Sequence, residues 1–192
     1  MDFILHESAA LSKEICDQYI KLFEDNKDAH HLGKVFYEGK STHNKEWKNC
    51  KEIYFNEFIF YEPIQSCMNQ SILKYREKYP CVDKLSRWMV DGCFKLQRYL
   101  PNEGYFMTHC ENACLEDSNR VLVWMIYLND VYDEGYTAFP SQDKKFQPRT
   151  GDLLIWPAYF THTHHGVTSK TETKYILTGW FTYCEEGIHP WV

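Results

Sequence analysis

Val121-Leu122-Val123-Trp124-Met125-Ile126-Tyr127-Leu128 is an unbroken apolar run, closed by the turn formers Asn129-Asp130. A run of this length, rich in β-branched and aromatic side chains, reads as a strand covered on both faces, hence a central one. Downstream, Gly151-Asp152 introduces a second apolar run, Leu153-Leu154-Ile155-Trp156, and Lys174 to Tyr183 forms a last one bounded by polar residues. Just upstream, Phe94, Leu96 and Arg98 alternate with Lys95, Gln97 and Tyr99, the two-residue period of a strand.

The first part of the chain has a different texture. After Ser8, which reads as an N-cap, Leu11, Ile15, Tyr19 and Leu22 fall on one helical face. A second helix is expected from about Pro63, with Ile64, Met68, Ile72 and Tyr75 on one side, stopping before Pro80. Ile53-Tyr54-Phe55 reads as a short strand between them. Helices first and strands after predict an α+β chain with a mostly antiparallel jelly-roll (double-stranded β-helix) core and N-terminal helices packed on the sheet. No repeat or linker divides the 192 residues. They read as one domain, 1–92 mainly helical support and 93–184 the jelly-roll catalytic core.

Composition narrows the function classes. Lys and Arg number 21 against 27 Asp and Glu, and no basic run occurs, so a nucleic-acid partner is not expected. No stretch approaches the roughly 20 apolar residues of a membrane span. Met1-Asp2-Phe3-Ile4-Leu5-His6-Glu7 lacks the basic flank and long apolar core of a signal peptide, so a soluble, cytoplasmic protein is expected. Eight scattered cysteines then read as reduced, small buried hydrophobes rather than a disulfide framework. Trp124, Trp156 and Trp180 read as core packing.

The histidines carry the chemistry. His109 stands two residues before Glu111, a spacing that puts both side chains on one face of a strand end. His162, His164 and His165 cluster within four residues. One of these added to His109 and Glu111 gives two imidazoles and a carboxylate. Such a set suits non-haem Fe(II), binding one face of an octahedron and leaving sites for a bidentate cosubstrate and O2.

The order of the surrounding pieces is more specific than any one of them. Tyr99-Leu-Pro-Asn-Glu-Gly104 leads to His109-Cys-Glu111. Tyr127-Leu128-Asn129-Asp130, Thr137-x-Phe139-Pro140 and Pro148-Arg-Thr-Gly151-Asp152 follow. Then come Trp156, His164-His-Gly166, and Lys174 through Gly179-Trp180-Phe181. This series, from about residue 94 to 183, resembles the 2-oxoglutarate/Fe(II) dioxygenases, and within them the prolyl 4-hydroxylase-like branch.

The resemblance implies His109 and Glu111 as iron ligands, although the family more often has Asp at the second place. Asp117 lies outside the motif spacing. His164 matches the family spacing to Gly166 and Lys174 and is preferred as the third ligand. His162 stays open, while His165 should point away. Lys174 is implied as the partner of the distal carboxylate of 2-oxoglutarate, with Tyr99 and Thr178 as further cosubstrate contacts. Asp133-Glu134-Gly135-Tyr136-Thr137 departs from the family's usual Gly-Gly-Glu-Thr.

The expected activity is hydroxylation of a C–H bond with release of succinate and CO2, using Fe(II), 2-oxoglutarate and O2, with ascorbate as a candidate reductant. A prolyl residue of a peptide or protein is the implied substrate, with a small amino acid or metabolite as the alternative. Three rival readings remain: a catalytically silent binding barrel; a zinc protein built on His109, Cys110, Cys114 and a late histidine; and a nucleobase demethylase on the same fold.

Overall fold

In the computed structural model, which describes residues 1–37, 40–55 and 62–185, strands occur in both halves of the described chain. They are β1 (Leu5–Glu7), β2 (His31–Leu32), β3 (Val35–Tyr37), β4 (Lys40–Thr42), β5 (Lys48–Asn49), β6 (Lys51–Phe55) and β7 (Trp88–Tyr99). After them come β8 (Gly104–Tyr105), β9 (Arg120–Tyr127), β10 (Thr137–Phe139), β11 (Lys144–Phe146), β12 (Leu153–Pro157), β13 (His165–Gly166) and β14 (Lys174–Tyr183). Helices α1 (Lys13–Asp25) and α2 (Glu62–Lys78) belong to the first half.

The main sheet has the order β1-β12-β9-β14-β7-β6-β2, with every neighbouring pair antiparallel. A smaller sheet, β11-β10-β13, and the ribbons β3-β4 and β5-β8 complete the strands.

The run around Trp124 is continuous because both of its faces are covered. Leu122, Trp124 and Ile126 belong to the core beneath the helices, together with Phe23, Met68, Phe94 and Leu177. Val123, Met125 and Tyr127 point the other way, into a second core with Phe139, Trp156 and Trp180. β7 divides similarly: Phe94 and Leu96 join the helical side, while Lys95, Gln97 and Tyr99 line a cavity on the other. Burying an aliphatic or aromatic side chain of this kind contributes about 1.5–3 kcal/mol.

Two local expectations need correction. The N-cap of α1 is Ser12, whose side chain accepts from the Ile15 amide, and not Ser8. Leu11 therefore precedes the helix, and the fully buried face is Cys16, Tyr19 and Phe23. The pattern shifts because a buried cysteine serves as a small apolar residue. Of the eight cysteines, all free, Cys16, Cys50 and Cys67 are buried, whereas Cys81 and Cys93 are exposed. Residues 1–92 also supply β1, β2 and β6 to the main sheet beside their two helices.

Two glycines allow close approaches. A Cβ on Gly179 would lie 2.3 Å from the Trp124 ring, so this position lets the largest core side chain cross β14. Gly151 has φ +81° and faces the Leu11 carbonyl at 2.1 Å from its would-be Cβ, joining the approach to α1 to the turn before β12.

Candidate metal and cosubstrate site

His109 and His164 are 55 positions apart in sequence, yet their backbones form a reciprocal bridge. The His109 amide donates to the His164 carbonyl at 3.0 Å, and the His164 amide to the His109 carbonyl at 2.9 Å. This pairing sets the imidazoles side by side, with centroids 4.4 Å apart. The Glu111 amide donates to the Ala158 carbonyl at 3.0 Å, which turns its carboxylate to the same point. Glu111 Oε1 lies 3.3 Å from His109 Nε2 and 3.8 Å from His164 Nε2. Among the described residues this is the one group of three or more such side chains arranged to hold a metal, its ligand atoms all within 4.8 Å of one another.

The remaining polar atoms prepare that set. His109 Nδ1 lies 2.9 Å from the Met107 carbonyl and His164 Nδ1 lies 3.1 Å from that of His162. A carbonyl can only accept, so each Nδ1 carries the proton and each Nε2 keeps its lone pair inward. Burial, then the neighbouring His109, pushes the His164 pKa down to about 3, which keeps it neutral. Burial opposes ionisation of Glu111. The adjoining His109, His164 and Arg120 outweigh that and hold its carboxyl well below the usual range.

Glu111 Oε2 is occupied separately, accepting from the Trp180 indole at 3.1 Å and lying 3.5 Å from Arg120. Tyr105 stacks on His109 at 3.6 Å. Two imidazole nitrogens and one carboxylate oxygen on one side of a cavity fit a divalent iron ion.

The cavity is about 510 Å³ and is lined by Tyr99, Lys174 and Thr178 as well as by the three ligand candidates. Lys174 opens β14 opposite Tyr99 on β7, its Nζ 5.1 Å from the Tyr99 ring centre. Its ammonium is buried and donates to the Gly135 carbonyl at 2.8 Å. Burial pushes its pKa down to about 8. Thr178 Oγ1 is buried in the same wall without a partner among the described residues. A buried cation and an orphan hydroxyl on one wall fit a carboxylate, since each is costly to leave unmatched.

Several expected residues are placed differently. His162 lies in a short 3-10 turn and not on a strand face with His164. Its ring bonds to the Asp2 carbonyl at 2.8 Å and to Thr161 Oγ1 at 2.9 Å, fixing the N-terminal segment. Asp117 is paired with Arg120 at 2.8 Å. Cys110 and Cys114 contact Asn112 and Asp117 and stand outside the ligand group, which removes the geometry of the zinc reading.

Trp180 and Trp156 border the cavity, whereas Trp124 is buried with the helical core. Trp180, Arg120 and Tyr105 were not legible as site residues in the sequence. Only the register of β14, with positions 174, 176, 178 and 180 on one face, points to Trp180.

Residues 94–182 match the family model described as the 2OG-Fe(II) oxygenase superfamily. The chain is 30% identical over 102 residues to a protein of Acanthamoeba polyphaga mimivirus named "Putative prolyl 4-hydroxylase". That match spans 44% of this chain and 42% of the viral protein, less than half of its length.

Among solved structures, the viral collagen prolyl hydroxylase of Paramecium Bursaria Chlorella virus-1 superposes with a TM-score of 0.68 at 18% identity, covering 95% of this chain and 97% of that one. A Pseudomonas putida prolyl-4-hydroxylase gives 0.70 at 14% identity, covering 96% and 95%. A Trichoplax adhaerens prolyl hydroxylase, solved with a peptide fragment of the hypoxia inducible factor oxygen degradation domain, gives 0.74 at 16%, covering 95% and 84%. The shared architecture is the double-stranded β-helix. Among the described residues no helix is long and apolar enough to cross a membrane.

Proposed function

We propose that the chain, read as one domain over 1–192, is an Fe(II)- and 2-oxoglutarate-dependent hydroxylase acting on a prolyl residue of a peptide or protein. The observation that carries this is the convergence of His109, Glu111 and His164 in a cavity whose wall holds the buried Lys174, which among the described residues has a backbone carbonyl but no carboxylate as partner. Bound there, iron with 2-oxoglutarate and O2 supplies oxidative decarboxylation to succinate and CO2 coupled to C–H hydroxylation.

The chain's own residues bind and orient. His109, Glu111 and His164 hold the metal, and the carbonyls of Met107 and His162 keep both imidazoles in the ligating tautomer. Trp180 and Arg120 engage Oε2 of Glu111, so Oε1 is the oxygen offered to the ion.

Lys174 takes the distal carboxylate of 2-oxoglutarate as a buried point charge, with Tyr99 and Thr178 beside it. The peptide-hydroxylating reading is supported by the prolyl hydroxylases of the same fold, one of which was solved with a peptide. Eight free cysteines support a reducing, cytoplasmic location.

The test is aerobic incubation with Fe(II), 2-oxoglutarate, ascorbate and proline-containing peptides. Succinate release together with a peptide mass gain of one oxygen is expected. Absence of succinate with every peptide and every free amino acid offered would contradict a hydroxylase and favour the silent barrel.

A further inference from the structure

The cavity wall carries the opposite charge balance to the chain. Lys34, Lys48, Lys95, Arg120 and Lys174 line it against Glu111 and Asp117, whereas the whole chain has 21 basic and 27 acidic residues. Most of these cations are accounted for. Arg120 is held by Asp117 at 2.8 Å and Glu111 at 3.5 Å, and Lys48 by Glu52 at 3.0 Å. Lys34 is exposed at the rim, and Lys174 is the socket for 2-oxoglutarate.

Lys95 is different. Among the described residues its ammonium has no hydrogen bond or ion pair, and it rests 5.0 Å over the Trp180 ring and 5.3 Å over that of Tyr54. Aromatic faces attract the charge but supply no acceptor for its three N–H groups. Burial, then Lys48 and Arg120, outweigh Glu52 and Glu111 around it and hold its pKa below the ordinary lysine value. A partly desolvated cation with no acceptor is costly unless an anion arrives.

Lys95 is also separate from Lys174. It pairs across to Thr178 while Lys174 pairs to Tyr99, which puts the two rungs about 13 Å apart along β7 at the usual strand rise. The Lys95 ammonium stands beside Trp180, the ring that donates to Glu111, so it lies toward the metal candidates on the same sheet face as Lys174 but several rungs away from it.

We propose that Lys95 forms a second anion subsite, which takes a carboxylate of the molecule to be hydroxylated while Lys174 takes that of 2-oxoglutarate. This rests on the oxygenase reading above. The carboxylate comes from an acidic residue near the reacting one in a peptide, or from the free carboxyl group of an amino acid.

The test uses the full chain loaded with Mn(II) and 2-oxoglutarate, where binding is read without turnover. Proline hexapeptides with one Glu scanned through the other positions are titrated against their Gln counterparts, and free proline against prolinamide, following tryptophan fluorescence. At least one carboxylate probe should bind about tenfold tighter than its neutral partner, the gain of one charge-assisted pair. Lys95→Gln should abolish that preference, Lys95→Arg should keep it, and 2-oxoglutarate affinity should be unchanged in both. The arm showing the preference names the source of the carboxylate.

No preference in the wild-type protein, or a preference that survives Lys95→Gln, overturns the subsite. The wild-type comparison needs no variant and stands even if one misfolds. Failure of the metal-loaded wild-type protein to take up 2-oxoglutarate is a separate result, which removes the oxygenase reading and the subsite together.

Discussion

Lys174 is a buried ammonium with one backbone acceptor, at the Gly135 carbonyl, and a pKa lowered to about 8 by burial. A bound dicarboxylate favours the protonated form and raises that value. Below about pH 8, 2-oxoglutarate affinity should therefore be flat. Above it, binding must take up a proton, so affinity should fall by about tenfold per pH unit. Lys174→Arg, which stays charged, should flatten the profile; an equally steep fall in that variant would assign the titration to another group.

Trp180 gives a second prediction at this scale. Trp180→Phe keeps the ring but removes the donor to Glu111 Oε2. Mn(II) affinity should weaken by about tenfold, as is usual for a hydrogen bond that orients a ligand. Calorimetric titration checks it, and an unchanged affinity would leave Arg120 as the sole restraint.

At the scale of elements, the turn carrying His162 and the bridge carrying His164 do different work two residues apart. His164→Ala should abolish metal binding while leaving the fold largely intact. His162→Ala should retain metal but lower the melting temperature by a few degrees, because it frees the Asp2 carbonyl and the start of the chain. Gly179→Ala would drive a methyl into Trp124 and should cost about 3 kcal/mol, seen as a large loss of thermal stability at an otherwise tolerant substitution.

Alternation at 94–99, the apolar run at 121–128 and the last strand were legible in the sequence because period and burial are local properties. So was the His109-x-Glu111 pair. The spacing to Gly166 and Lys174 already favoured His164 over His162, but what holds His164 beside His109, a backbone bridge between residues 55 positions apart, was not legible. Trp180 and Arg120 were hidden for a similar reason. A tryptophan in an apolar strand reads as core until the facing carboxylate is placed, and the roles of Lys48 and Lys95 emerge only when β5, β7 and β14 share one cavity.

Over the whole molecule, the helices and the sheet face they cover form one packed core, and the opposite face carries a second, smaller core and the polar lining of the cavity. Trp124 and Trp180 show the division: one is fully buried behind β14, the other borders the cavity. In the proposed function, His109, Glu111, His164 and Lys174 together bind iron and 2-oxoglutarate. The most direct measurement is an anaerobic titration of the protein with Fe(II) and then 2-oxoglutarate, following the weak visible charge-transfer band of the iron–keto acid chelate. A saturable band is expected that is lost in His164→Ala, retained in His162→Ala and shifted to much higher 2-oxoglutarate concentration in Lys174→Ala. A folded wild-type protein that gives no band would contradict the proposed function.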